Sequence, residues 1–435
     1  MNKKIKIFSS AIISIAFCSN ALALTSYPDS LQAGSQYYAY PVPECGIPIL
    51  SESPKGYLPF HIEHYGRHGS RWIIQPSKYE APLRQLEIAN KNGKLTERGK
   101  EVLEQLKPLL KEARMRGGEL TPLGHRQHRG IANRMYHNFP SVFSSGSHVD
   151  AKSTQVIRCI LSMANEVEEL RMLNPELIIT MDASAATQPI LNNSDLDKGS
   201  FSAAAKAYYL KDAIDTLPFD KSHFFKTLFN DQEFVAANID SNALFDNMFE
   251  IATNAQSHDE YPDFYDLFTP EILNRKWMSD NASWFISAGN SAVSEGRVPF
   301  NQRFLLKEII ESADTAMLSP NLSANLRFGH EVVVLPLTVF MELDNYGAEI
   351  NDLSNLGEKW KNYEIFPMAC NIQMIFYRPE LHEVSKPEDI LVKVLLNERE
   401  VALPVKPMKG KYYKWTDLRD YYTTKLDSFA TRFTE

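Results

Sequence analysis

The chain of 435 residues is 44% hydrophobic and 23% charged, the balance of an ordinary globular protein, which excludes a wholly disordered or fibrous one. Its formal net charge of −8 argues against a nucleic-acid or anionic-membrane surface as partner, but not against a small anionic substrate that senses only a local pocket. Beyond the first 23 residues no apolar run reaches the roughly 18 residues of a spanning helix, so no stable membrane insertion is expected.

Residues 1–23 read as a cleaved export signal. Lys3, Lys4 and Lys6 make a basic start, 7–17 is largely apolar, and Ala21-Leu22-Ala23 is the small-residue pattern that signal peptidase cuts. Cys18 invites a lipoprotein reading, but Phe17 before it is too bulky for a lipidation site. The expected destination is the periplasm or the outside of the cell. Export permits disulfides, and the remaining Cys45, Cys159 and Cys370 allow at most one internal bridge.

The stretch 57–65 (YLPFHIEHY) mixes aromatic and β-branched residues and runs into Gly66-Arg67-His68-Gly69, a strand ending in a loop. Residues 80–116 are rich in Leu, Glu and Lys at helical spacing, broken at Asn92-Gly93. A further helix follows Thr121-Pro122, with Thr121 as N-cap and Pro122 in the first turn. Short strands are expected at 147–152 and 176–181, and the alternation of helix and strand predicts an α/β core. From 191 to 298 the texture changes to Phe, Asn, Asp and Ser with helical pieces such as 201–210. This reads as a mainly helical insertion between two parts of the core, 24–190 and 299–435. Its aromatics, Trp277, Trp284 and Phe224 among them, read as core packing. The core then resumes with a helix at 300–317, a strand at 324–329, a helix at 332–343 and strands at 371–377 and 390–396.

The sharpest chemical feature is Arg67-His68-Gly69-Ser70-Arg71 at a predicted strand end. Guanidinium forks match the oxygens of a phosphate and stay charged at any biological pH. A histidine held against that phosphate can attack phosphorus and divide one hard step into two. Neighbouring positive charge favours the neutral imidazole, which has the lone pair to attack with. His61 and His64 precede His68 in an H-x₂-H-x₃-H pattern, yet on a strand residues 61 and 64 face opposite sides and do not share an ion. On the helix after Thr121, Arg126 and Arg129, and His125 and His128, lie at i,i+3; they suit either outlying phosphates or a solvated basic face. No Gly-rich nucleotide loop or zinc-spaced Cys/His pattern occurs, so no cofactor or metal is expected.

The Arg-His-Gly-x-Arg segment resembles the signature of the histidine acid phosphatase family, and the wider pattern is most similar to its branch of multiple inositol polyphosphate phosphatases. Four other passages carry the resemblance: GELTPLG at 118–124, KSTQVIR at 152–158, FGHE at 328–331 and PMACNIQ at 367–373. The resemblance implies a layered α/β fold with a central, mostly parallel sheet flanked by helices and a helical inserted domain. It implies that His68 is the nucleophile, that Arg67, Arg71, Arg158 and His330 clamp the phosphoryl group, and that Glu331 is the proton donor. The implied substrate is an inositol polyphosphate such as phytate, hydrolysed without a metal. One departure stands out. Acid phosphatases usually have His-Asp here and the inositol branch often His-Ala-Glu, whereas this chain has His330-Glu331-Val332. Glu331 is then an acid with one extra methylene at the Asp position, or the donor lies elsewhere. A general phosphatase of small or protein phosphomonoesters, a phosphoryl-shuttling mutase and a non-catalytic phosphate-binding relative remain rivals; the export signal speaks against the mutase.

Overall fold

The computed structural model describes residues 29–42, 49–195, 220–292, 294–319, 322–380 and 386–433. The export signal expected at 1–23, Cys45 and the helical piece expected at 201–210 lie outside them.

At the centre is a mixed sheet of eight strands among these residues, in the order β3-β2-β4-β1-β5-β6-β7, with β8 beside β6. The strands are β1 (Tyr57–Arg67), β2 (His148–Ser153), β3 (Ile178–Asp182), β4 (Leu322–Gly329), β5 (Asn371–Pro379), β6 (Leu391–Leu396), β7 (Arg399–Glu400) and β8 (Tyr413–Lys414). Strands β3, β2, β4 and β1 are mutually parallel, while β5 runs antiparallel to β1 and to β6. Strands β1, β4 and β6 are buried almost throughout, as strands covered by helices on both faces must be. The strands expected from the sequence are therefore present, each with ends shifted by a few residues.

Helices α1 (Ser77–Lys91), α2 (Glu97–Arg116), α3 (Pro122–Asn138) and α4 (Ile157–Leu173) precede residue 191. Asn92-Gly93 does break the first pair, with Gly93 at φ 66°, a conformation that favours glycine. Thr121 caps α3 by accepting the Gly124 N–H at 3.2 Å. Within 191–298 lie α5 (Ser222–Leu228), α6 (Gln232–Asn238), α7 (Ser241–Asn254) and α8 (Pro270–Ala288), and no strand among the described residues. Helices α9 (Arg303–Leu318) and α10 (Glu331–Phe340) follow. The chain ends in α11 (Trp415–Phe433), a helix the sequence reading did not anticipate because its Tyr, Thr and Phe content reads as strand-like. It is held by packing, with the Trp415 indole N–H donating to Asp314 on α9 at 2.8 Å. No helix among the described residues is long and apolar enough to cross a membrane.

Three apolar clusters organise the molecule. One packs α8, α9, α10 and α11 on one face of the sheet, and a second packs α3 and α4 on the other. The third lies off the sheet and joins α1 and α2 to α5–α8, so these later helices share their core with an earlier helical hairpin. Phe224 and Trp277 are buried in it, and Trp284 packs against the sheet-side cluster, so these aromatics are core.

His61 and His64 do point to opposite faces of β1. His61 contacts Glu63 at 2.7 Å on the α9 side, while the His64 ring lies 5.3 Å from that of Phe328 on the α3 side. Glu63 is fully buried and bonds Arg327 at 2.5 Å, Asn325 at 2.8 Å and Ser312 at 2.7 Å. Burial pushes its carboxyl up, but Arg327 and the His61 hydrogen bond outweigh it and hold the pKa at about 2. Since that lies below the unfolded value, the stabilisation is complete above the ordinary glutamate pKa and is lost as pH falls toward 2. Glu63→Leu should leave a buried guanidinium undercompensated and cost about 3–5 kcal/mol in urea unfolding at neutral pH. The deficit relative to wild type should shrink as the pH is lowered below 4; a pH-independent deficit would contradict this account.

Candidate active site

The candidate residues come from the carboxyl ends of three adjacent parallel strands. Arg67 closes β1, opposite Gly329 at the end of β4, and β2 lies on the far side of β4. The His-Gly-Ser loop therefore leaves β1 beside His330 and Glu331, which leave β4. The turn after β2 delivers Arg158 at the start of α4. Crevices outside strand carboxyl ends are where open α/β sheets bind ligands. Helices α4 and α10 both begin here, and neither has a side-chain cap, so two positive helix ends border the site.

His68 is 1% exposed. Its Nδ1 lies 2.9 Å from the Gly69 carbonyl oxygen, which can only accept, so Nδ1 carries the proton and Nε2 the lone pair. Burial, then the charges of Arg67, Arg158 and Arg71, hold its pKa well below the ordinary histidine value. The His330 ring stands 5.7 Å away, edge-on. Its Nε2 is 3.3 Å from the Thr154 hydroxyl and 3.7 Å from the Cys159 sulfur, and burial helped by the same arginines lowers its pKa to about 4.

Arg67 is fully buried. Its Nη1 donates to the carbonyls of Gln36 at 2.9 Å and Phe366 at 2.8 Å, which fixes the fork, while its Nε and Nη2 have no hydrogen-bond partner. Arg71 donates from Nη1 to the Trp72 carbonyl at 3.0 Å and lies 5.3 Å from the Tyr37 ring centre; its Nε and that of Arg158 are likewise unpartnered. The Glu331 carboxylate stands 3.0 Å from Arg67 Nε, without hydrogen-bond alignment, and 3.8 Å from His68 Nε2. Burial pushes Glu331 up, yet Arg67 and Arg71 outweigh it and hold the pKa at about 2, so in this state it is a carboxylate.

Three buried or half-buried guanidiniums thus face one carboxylate and two neutral imidazoles, with inward donors unfilled. That arrangement fits a compact tetrahedral oxyanion. Among the described residues, His68, His330 and Glu331 also form a group whose donor atoms lie within 4.8 Å of one another, close enough to share a metal ion. The three surrounding guanidiniums make this a poor place for a cation.

The other basic residues behave differently. Arg126 pairs with Asp259, Arg129 with Glu168 and Asn165, and buried His128 contacts Glu166 at 2.8 Å; these are surface pairs and a core contact. Cys159 and Cys370 are both free and buried. The sequence reading missed the groups that hold the site in shape. Those are the Gln36 and Phe366 carbonyls, Thr154, and Ser162, whose Oγ accepts the Gly69 N–H at 3.2 Å and donates to the Arg158 carbonyl at 2.8 Å. None carries a local signal, because backbone carbonyls and buried serines look alike in any sequence.

No family model matches the chain, and no curated protein matches it by sequence. Solved structures do. The multiple inositol polyphosphate phosphatase of Bifidobacterium longum in complex with phosphate superposes with a TM-score of 0.76 at 17% identity, covering 91% of this chain and 98% of that one. The same enzyme with inositol hexasulfate gives 0.72 at 17%, covering 90% and 97%. The phytase from D. castellii gives 0.69 at 14%, covering 91% and 85%. At these identities the likeness establishes the fold, and it is the histidine acid phosphatase fold that the sequence resemblance implied.

Since its folded pKa lies below 6.5, His68 should stay neutral as pH falls through 6.5. Imidazole ¹⁵N shifts of the ligand-free protein at pH 5.5 should show a neutral, Nδ1-protonated ring. A titration midpoint near 6.5 would contradict the geometry.

Proposed function

We propose that the protein is an exported phosphomonoesterase that works through a phosphohistidine at His68 and acts on inositol polyphosphates. The observation that carries the chemistry is the unfilled inward donors of Arg67, Arg71 and Arg158 around a neutral imidazole whose Nε2 is free to attack. The substrate class rests on the motif resemblance and on the shared fold; the leader at 1–23 supports export.

In the proposed reaction the substrate phosphate displaces the Glu331 carboxylate from its place beside Arg67 and takes over the guanidiniums. With those charges engaged, burial dominates at Glu331 and its carboxyl regains a proton. His68 Nε2 then attacks phosphorus in line as the bond to the leaving oxygen breaks, and Glu331 gives its proton to that oxygen. In the second step the Glu331 carboxylate takes a proton from water, the resulting hydroxyl oxygen bonds to phosphorus, and the P–N bond breaks to return free imidazole and inorganic phosphate. Arg67, Arg71, Arg158 and His330 stabilise the charge on the equatorial oxygens in both steps.

One observation favours a second reading, a general phosphatase of small monoesters. Ile74, Ile157 and Val332, beside Arg158 and Glu331, are 49%, 63% and 47% exposed, while Arg126 and Arg129 are already paired. That apolar rim suits an alcohol with few additional phosphates.

Phosphate release from phytate and from p-nitrophenyl phosphate separates the two; a strong preference for the latter defeats the inositol reading. His68→Ala should abolish turnover, and acid-labile, alkali-stable ³²P should be trapped on wild type alone. Arg67→Ala should lower kcat by about 10²–10³. Glu331→Gln should slow esters of poorly acidic alcohols far more than p-nitrophenyl phosphate; equal slowing would assign the proton to another group.

A further inference from the structure

Between His68 and Arg71 lies Ser70, whose N–H, carbonyl and Oγ all bond to the start of one helix. Ser70 is fully buried. Its N–H donates to Gln127 Oε1 at 2.8 Å, and its Oγ accepts from Gln127 Nε2 at 3.0 Å. Its carbonyl accepts the Thr121 N–H at 3.0 Å and the Thr121 hydroxyl at 3.3 Å. Both partners belong to the start of α3, Thr121 as its cap and Gln127 in its second turn.

The backbones are in contact as well. A Cβ on Gly69 would come within 2.5 Å of the Gly124 carbonyl oxygen, and one on Gly124 would overlap the Ser70 carbonyl. At Gly69 and Gly124 the two backbones are therefore in direct contact, which blocks movement of the loop toward α3. Movement away from α3 is resisted by hydrogen bonds. Gln127 is the sole side chain bonded to both the N–H and the Oγ of Ser70 among the described residues. Arg71, the next residue along, has one carbonyl and one ring holding its guanidinium, so its aim depends on where its backbone starts.

We infer that Gln127 is a positioning residue: its amide pins Ser70 to α3 and thereby sets the separation of the His68 imidazole and the Arg71 guanidinium on which in-line attack depends. This rests on the proposed phosphohistidine reaction. Gln127 is 6% exposed and bonded on both amide atoms, so it acts through the loop rather than on the substrate. A displacement of about 1 Å in such a constellation costs on the order of 10²-fold in rate.

The test uses the full mature chain with p-nitrophenyl phosphate, with thermal unfolding measured in parallel. Gln127→Leu keeps the volume and removes both bonds; kcat should fall about 10–100-fold with KM changed by less than about threefold. Gln127→Glu retains the acceptor for the Ser70 N–H and lets the Ser70 hydroxyl donate, and it should recover most of that kcat. Recovery by Glu while its melting temperature stays as low as that of the Leu variant separates positioning from stability. Should Gln127→Leu fail to fold, Ser70→Ala, which removes one bond of the pair, should still lower kcat about 3–10-fold. Unchanged kcat in the folded variants, or a Glu variant no better than Leu, overturns the inference while leaving the phosphatase reading intact. No turnover by wild type on either p-nitrophenyl phosphate or phytate overturns both.

Discussion

Charge imbalance in a dry place is the constraint on which the rest of this structure depends. Arg67 is fully buried, Arg71 nearly so and Arg158 partly, and among the described residues the carboxylate paired with them is Glu331. Burying a guanidinium costs several kcal/mol unless it is paired, so a fold that gathers such groups must hold them by other means. It does so at Arg67 and Arg71 with backbone carbonyls from Gln36, Phe366 and Trp72, which fix these two forks without neutralising them. Burial first, and then this uncompensated charge, lowers the proton affinity of His68 and His330, while at Glu331 the charge outweighs burial. A single anion settling there relieves the repulsion and changes all three at once.

The opposite solution appears one pleat away on β1. Glu63 also lies in the core beside an arginine, but Arg327 is answered by two carboxylates and Glu63 by several hydrogen-bond donors. That cluster is compensated in charge, although Arg327 Nε and Glu308 Oε2 lack aligned hydrogen bonds. The contrast between a charge-compensated network and an uncompensated one, a few residues apart on one strand, separates framework from candidate site more clearly than residue type does.

Much of this was legible beforehand, for identifiable reasons. The strand-then-loop at 57–71 mixes aromatic and β-branched residues ahead of glycine, and the Thr121-Pro122 helix start has both cap and first-turn signals, so local chemistry sufficed. Arg158, His330 and Glu331 were placed through motif resemblance, since each is far in sequence from His68. Helix α11 was missed because its stability comes from contacts such as Trp415 with Asp314, not from its own propensity. The sharing of one apolar cluster by α1, α2 and α5–α8 was likewise invisible, because amphipathic helices do not name their partners.

What the amino-acid order determined by itself was a set of short-range facts: where chain segments extend, coil or turn, and which side chains have the chemistry to hold and attack a phosphate. These follow from periodicity, capping and pKa, each a property of a few neighbouring residues. Only the tertiary structure decided that three strand ends meet, that Glu331 faces Arg67 and that Gln127 grips the loop beneath His68. Those outcomes depend on sheet order and helix docking, which are set by the summed burial of many weak contacts and have no single residue in which they can be read.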